Sequence, residues 1–310
     1  MAILAESWRD SNPTKELTSL ATDESALRNH ILPTLGKRKI ATVTPFAVQQ
    51  LVNSWVEELQ PRTVRRQYET LRAMFFFAVN NEWLLRSPCR QIKLPTILET
   101  RKFQLTDEQI VTLVSFLNSK EALRVYIGAT TGLRWGEVAG LAISSLNLLR
   151  NEISVFQSVG RDAKGTPFVK SPKTQASNRT LTIPSWLSGL IAAYLAERGF
   201  TASDSKRLIF EGPRGELPNY NNWRNRVWLA ACRKANCEGA GFHDLRRYAA
   251  TSLVLEGVDL KTVQTRLGHR DPRMTLTIYA QAVPEADIAA AEKVGAKLLD
   301  ARKGNCAKYA

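Results

Sequence analysis

The sequence predicts a mainly α-helical protein with a small antiparallel β-sheet, in which an all-α domain precedes an α+β domain. Three observations predict it. Apolar residues recur at helical spacing through residues 1–95; the period switches to alternation between Ile153 and Ile183; and helical spacing returns after Pro184 and continues to the C-terminus. The 310 residues suffice for two domains of ~100–200 residues each.

In chain order, Thr44-Pro45 supplies a helix cap followed by proline at the first helical position, ahead of Val48, Leu51, Val52 and Trp55. A second helix is predicted from Pro61, with Leu71, Met74, Phe75 and Ala78 forming its buried stripe. Ser87-Pro88 closes this region, and residues 96–104 read as a linker with little periodicity. Thr106 with Gln109 three residues on is a capping box that opens the second domain, 105–285. Ile153, Val155, Leu181 and Ile183 mark strands, with Gly160–Gly165 and Ser171-Pro172 as turns. A helix over His243–Glu256 is followed by one from about Val258 that Gly268 ends, and Asp271-Pro272 starts another carrying Tyr279. In the tail, 286–310, Ile288, Ala291 and Leu298 share a helical face that Gly295 weakens.

Hydrophobic residues make up 44% and charged residues 23%, ordinary values for a globular chain. The 43 Lys+Arg exceed the 29 Asp+Glu by 14. Residues 1–100 hold 13 basic against 10 acidic residues, so the excess is concentrated in residues 101–310. Such an imbalance points to a polyanionic partner, because cations bound to phosphates release condensed counterions. An anionic membrane surface is the weaker match, for want of an 18-residue apolar run or a basic amphipathic anchor. Cys89, Cys232, Cys237 and Cys306 are scattered, with no CxxC and only three histidines, which argues against a disulfide framework or a zinc site and fits a reducing, cytoplasmic setting.

Four stretches carry candidate chemistry. Arg134 lies near a helix start within Thr131-Gly132-Leu133-Arg134-Trp135-Gly136-Glu137, with Glu137 three residues on; taken alone this is an ordinary intrahelical ion pair. Lys173 sits in a turn before the strand 179–183, where Lys164 and Lys170 compete for any role. His243 and Arg246 fall at i and i+3 of one helix, a spacing that suits an oxyanion. His269 follows Leu267-Gly268, and Tyr279 follows Thr275-Leu276-Thr277-Ile278; most tyrosines in such places belong to the core.

Taken in order, Arg134, Lys173, His243-x-x-Arg246, His269 and Tyr279 resemble the complete active-site set of the tyrosine recombinase, or phage integrase, family. The resemblance covers nearly the whole chain. It implies a helical, SAM-like core-binding domain over 1–95 and a catalytic domain over 105–285. The N-terminal match starts by about Ala5–Trp8, leaving no room for the arm-binding domain of many phage integrases; either core sites suffice or a segment is absent. The implied activity is site-specific recombination through a 3′-phosphotyrosine and a Holliday junction, with Tyr279 as nucleophile and no ATP, metal or other cofactor.

The chemistry fits the residue types. A phenol of pKa ~10 needs positive charge or a base to attack at neutral pH, and charge growing on the phosphate oxygens must meet fixed cations. Arg134 and Arg246 can each fork onto two oxygens. His269 would donate another hydrogen bond, His243 would handle the tyrosine proton, Lys173 would protonate the 5′-oxygen, and Glu137 would orient Arg134 or His243.

The implied partners are double-stranded DNA, further copies of the chain in a tetrameric synapse docked through the tail, and accessory DNA-bending and directionality proteins. Arg62, Arg65, Arg66, Arg72, Arg179, Arg224, Arg226 and Arg247 are candidate DNA contacts. The alternatives are a chromosome-dimer or transposon recombinase of the same chemistry, a type IB topoisomerase, or a non-catalytic helical DNA-binding regulator; the last predicts a degraded residue set, whereas every member is present.

Overall fold

The computed structural model describes residues 1–98, 103–162, 164–170, 178–269, 271–278, 291–292 and 294–299. Two compact units divide the chain, Met1–Arg101 with Arg161–Thr166, and Lys102–Gly160 with Pro167–Ala310. No helix among the described residues is long and apolar enough to cross a membrane.

The first unit is helical. Helices Ala2–Asp10, Leu17–Ala26, Pro45–Glu58 and Pro61–Asn80 enclose a core that includes Leu4, Ile31, Leu35, Val52, Leu71, Met74 and Phe75. Thr44 caps the third of these, its hydroxyl accepting from the Ala47 amide at 3.2 Å, and Pro45 occupies the first helical position, where no amide is needed. Pro61 opens the long helix in the same way. Its stripe of Val64, Leu71, Met74, Phe75 and Ala78 is fully buried, while Arg62, Arg66 and Arg72 lie on the exposed side.

The second unit opens on the helix Asp107–Ser115, and both bonds of the Thr106–Gln109 capping box form, at 3.2 and 3.1 Å. Helix Ser119–Thr131 then packs against Phe242–Leu255, with Ile127, Phe242 and Leu245 in the shared core. The strands form two sheets where the sequence predicted one. β1 (Leu146–Asn147), β2 (Glu152–Val155) and β5 (Arg179–Thr182) make a three-stranded antiparallel sheet in the order β1-β2-β5, with Ile153 opposite Leu181. β3 (Ser158–Arg161) and β4 (Pro167–Lys170) pair separately. Asp162 closes that hairpin by accepting from the Lys164 and Thr166 amides at 2.9 and 2.8 Å, so the turn binds β3 to β4 and leaves β2 to pair with β5.

Helices Ser185–Glu197, Tyr220–Trp223, Leu229–Lys234, Phe242–Leu255 and Leu260–Leu267 complete the unit. Residues 272–278 are helical; Ile278 packs on a small cluster of Ala250, Val254, Val263 and Leu267. Cys89, Cys232 and Cys237 are free thiols, and burial pushes Cys89 up to about 12.

Candidate functional site

Lys173 and Tyr279 lie outside the described residues, as does most of the tail. Arg134, Glu137, His243, Arg246 and His269 converge within the second unit. Arg134 is the residue that begins helix Trp135–Ala139: Gly132 ends the preceding helix in the left-handed conformation, φ 68°, and the chain turns at once into the next. That conformation favours glycine. A Cβ on Gly132 would also stand 2.4 Å from Leu267 Cδ2, so the turn can lie against the helix end at Leu267 only without a side chain.

Glu137 closes the turn. Its Oε2 accepts from the Arg134 amide at 2.9 Å and its Oε1 from Arg134 Nη1 at 3.2 Å. Arg179 approaches the same carboxylate from β5, Nη1 donating to Oε1 at 3.2 Å and Nη2 to Oε2 at 2.9 Å. Burial alone would raise the Glu137 carboxyl, but the hydrogen bonds and charges of Arg179 and Arg134 outweigh it and hold it below the usual carboxylate range. Of the two expected partners, Glu137 bonds Arg134, and among the described residues no hydrogen bond joins it to His243.

Arg246 is buried. Its Nη1 donates to the Gly132 carbonyl and its Nη2 to the Leu267 carbonyl, each at 2.7 Å. Desolvation and the nearby charge of Arg134, with Arg179, bring its pKa down to about 9, which leaves it protonated at neutral pH. His243 lies three residues earlier on the exposed side of the same helix. The i, i+3 spacing places the two 60° apart around the axis, enough to separate a buried from an exposed side chain. Partial burial and the charges of Arg246, Arg247 and Arg134 lower the His243 pKa, opposed by Asp244.

His269 is also buried, its Nδ1 2.9 Å from the Thr275 hydroxyl. Burial and the charges of Arg246, Arg134, His243 and Arg179 push its pKa down to about 4, so the ring is neutral at pH 7. In the tautomer in which the Thr275 hydroxyl donates to Nδ1, Nε2 carries the ring proton and can donate it to an outside acceptor. Gln264 holds the backbone on both sides: its carbonyl accepts from the His269 amide at 3.1 Å, and its Nε2 donates to the His269 carbonyl at 3.0 Å.

Arg179 is where the sequence reading needs correction. Predicted among the DNA-facing cations, its side chain is only 6% exposed; besides the two bonds to Glu137, its Nε donates to the Arg266 carbonyl at 2.9 Å. The signal was in the strand itself. Leu181 and Ile183 alternate inward, and extending that alternation back puts Arg179 on the buried face. Thr275 and Gln264 were also missed as His269 partners; hydroxyl and amide side chains on helices give no sequence signal for such a role.

The remaining candidate cations are more varied. Arg62, Arg224 and Arg226 are exposed. Arg65 donates to the Pro95 carbonyl at 2.8 Å and Arg66 to the Thr22 hydroxyl at 2.8 Å. Arg72 pairs with Glu69 at 3.3 Å and Arg247 with Asp244 at 2.6 Å. Among the described residues no group of three or more His, Cys, Asp or Glu is placed to hold a metal ion.

The site therefore gathers three guanidinium groups around one carboxylate, with two imidazoles alongside, and the charges of Arg134 and Arg179 add to burial in lowering the proton affinity of Arg246 and His269. Such an arrangement is complementary to an anion with several oxygens.

Comparison with known proteins gives matches over both units. Residues 104–285 match the model described as the phage integrase family, and residues 5–56 the phage integrase N-terminal SAM-like domain. The chain is 26% identical over 295 residues to a protein named tyrosine recombinase XerC-like from Caldanaerobacter subterraneus subsp. tengcongensis, covering 87% of this chain and 75% of that one. With the integrase of Mycobacterium phage D29 it shares 28% identity over 269 residues, 84% of this chain and 70% of the relative. The fold is similar to that of the Tn1549 transposon integrase solved with transposon right end DNA, with a TM-score of 0.79 at 20% identity over 95% of this chain and 99% of the other. It is also similar to lambda integrase, solved as a tetramer bound to a Holliday junction, with a TM-score of 0.66 at 16% identity over 89% and 76% of the two chains.

Proposed function

The chain belongs to the phage integrase family, and from that premise we propose that it is a site-specific DNA recombinase that cuts and rejoins strands through a phosphotyrosine at Tyr279. One observation carries the reading: Arg134, Arg246 and His269 come together on backbone and side-chain supports that fix them before substrate arrives.

Each supported group has a task in the reaction. Arg246 spends two of its five N–H donors on carbonyls, leaving the others for a scissile phosphate. Arg134, 42% exposed along its side chain, offers a second fork. Neutral His269 donates from Nε2 to the same phosphate, while His243, kept unprotonated at pH 7, accepts the phenolic proton of Tyr279. The Tyr279 oxygen forms a bond to phosphorus as the bond to the 5′-oxygen breaks, and Lys173 protonates that leaving oxygen. One phosphodiester is exchanged for another, so rejoining by a 5′-hydroxyl requires no ATP.

Recombination of two sites requires four such cleavages, which fits a homotetramer passing through a Holliday junction, the assembly in which lambda integrase has been solved. Duplex DNA is the substrate, accessory bending and directionality proteins would act on the same assembly, and the reaction would take place in a bacterial host cytoplasm.

The test uses a randomised pool of nicked duplexes, from which rejoining is blocked once cleavage occurs. Wild type should capture a subset of duplexes covalently and Tyr279→Phe none. An adduct that survives the substitution overturns the assignment. Tyr248 would then be the next tyrosine to examine, although its hydroxyl donates to Asp107 at 2.6 Å and burial raises its pKa, both of which disfavour attack.

A further inference from the structure

Arg179 has the geometry of a part with a purpose in the reaction. Both oxygens of Glu137 are doubly engaged, each receiving one bond from Arg134 and one from Arg179. Arg134 reaches outward, whereas the Arg179 and Glu137 side chains are largely enclosed. The third Arg179 nitrogen, Nε, binds the Arg266 carbonyl, and its guanidinium packs so closely on Gly268 (φ 66°) that a Cβ there would lie 2.9 Å from Nη1. One planar group thereby joins three segments: the turn bearing Arg134, the turn that leads into His269, and β5, which follows the stretch containing Lys173. A lysine could not reproduce this, because an ammonium lacks the fork that meets both carboxylate oxygens at once.

We propose that Arg179 is a positioning residue for strand cleavage, holding Glu137 and through it Arg134 in the orientation that receives the scissile phosphate. The proposal rests on the recombinase reading above. It gives a chemical reason for an enclosed guanidinium to face an enclosed carboxylate beside a pocket already rich in cations: without Arg179, burial favours the protonated form of Glu137, and protonation removes its negative charge and turns one acceptor into a donor facing the Arg134 donors. The charged groups facing Glu137 are Arg134 from its own helix, Arg179 from β5 and Arg246 from Phe242–Leu255; the helix Leu260–Leu267 presents the Arg266 carbonyl there, the Arg266 Nη2 itself donating to the Thr182 carbonyl.

The experiment measures the rate of covalent adduct formation at saturating duplex, using duplexes captured by the wild-type protein, from pH 5.5 to 8.5. Relative to wild type, Arg179→Met should be at least about tenfold slower at pH 6, and the gap should narrow toward pH 8.5 as Glu137 ionises, a titration that changes the active fraction by up to about tenfold per pH unit. Glu137→Gln should be slow at every pH. The double variant R179M/E137Q should be no slower than E137Q alone, and Arg179→Lys should restore part of the rate at pH 6. A gap between R179M and wild type that stays constant with pH, or single-variant losses that multiply in the double variant, would overturn the proposal and make Arg179 a structural ion pair. The readout is how the gap changes with pH, so a fixed misfolded fraction of a variant, which scales its rate equally at every pH, does not imitate it. Failure of the wild-type protein to form any adduct would instead sink the Tyr279 reading.

Discussion

His269 is the most sensitive reporter of how the site is built. Its ring is enclosed, bonded to Thr275 and surrounded by Arg246, Arg134, His243 and Arg179, and its pKa lies at about 4 against an ordinary value near 6.5. The difference amounts to about 3 kcal/mol of preference for the neutral ring. The sign comes from linkage: between about pH 6.5 and 4 the unfolded chain binds the proton and the folded chain does not, so stability falls as pH falls through that window. His269→Gln removes the titration, so the wild type should lose about 3 kcal/mol relative to this variant between pH 7.5 and 4, read as the difference in thermal or urea midpoints. Direct evidence comes from ring resonances in protein labelled at histidine, readily assigned because the chain has only three histidines. Captured duplex should raise the His269 midpoint, since a phosphate among the cations offsets their repulsion. A midpoint near 6.5 in the free protein would refute the picture of a buried, cation-crowded ring.

Further substitutions test the supports. Gly132→Ala places a Cβ against Leu267 in a left-handed backbone, and should cost at least about 1–2 kcal/mol with a matching loss of cleavage; thermal denaturation and adduct formation check both. Arg124→Met strips the counter-charge from Glu121, which also accepts from the Trp223 indole, and should lower the stability of the second unit to denaturant by about 3–5 kcal/mol, whereas pairing it with Glu121→Gln should recover much of the loss. Thr106→Ala should cost about 1 kcal/mol in thermal unfolding through the lost helix cap and leave cleavage at permissive temperature unchanged.

How much of the molecule was legible in its sequence depends on how local each signal is. Thr44-Pro45, Pro61 and the Thr106–Gln109 box act within a few residues, so they mark helix starts wherever the chain goes next. The site set was legible as an ordered group of residue types, but its supports were not. Arg246 binds carbonyls 114 and 21 residues away, and Arg179 reaches Glu137 across 42, so nothing near either residue announces the partner. Arg179 reads as a surface cation because an arginine in a basic domain is more often one, and only strand alternation points it inward. The single predicted sheet became two because the Asp162 turn binds β3 to β4, a preference set by backbone amides that composition does not reveal.

The carbonyls that hold Arg246 belong to the ends of two helices, Ser119–Thr131 with its cap Gly132, and Leu260–Leu267. Peptide dipoles leave a partial negative charge at each such end. Two of them converging on one guanidinium favour its charged form against the neighbouring cations, and in return the guanidinium pins both helix ends together. On the proposed function, binding of substrate and integrity of the domain are thus vested in a single side chain. A variant at Arg246 cannot separate the two, because the loss of turnover would be confounded with loosened helix packing. The half-exposed Arg134, anchored by a carboxylate rather than by the termini of two helices, is the position at which a folded, DNA-binding but cleavage-deficient protein should be sought.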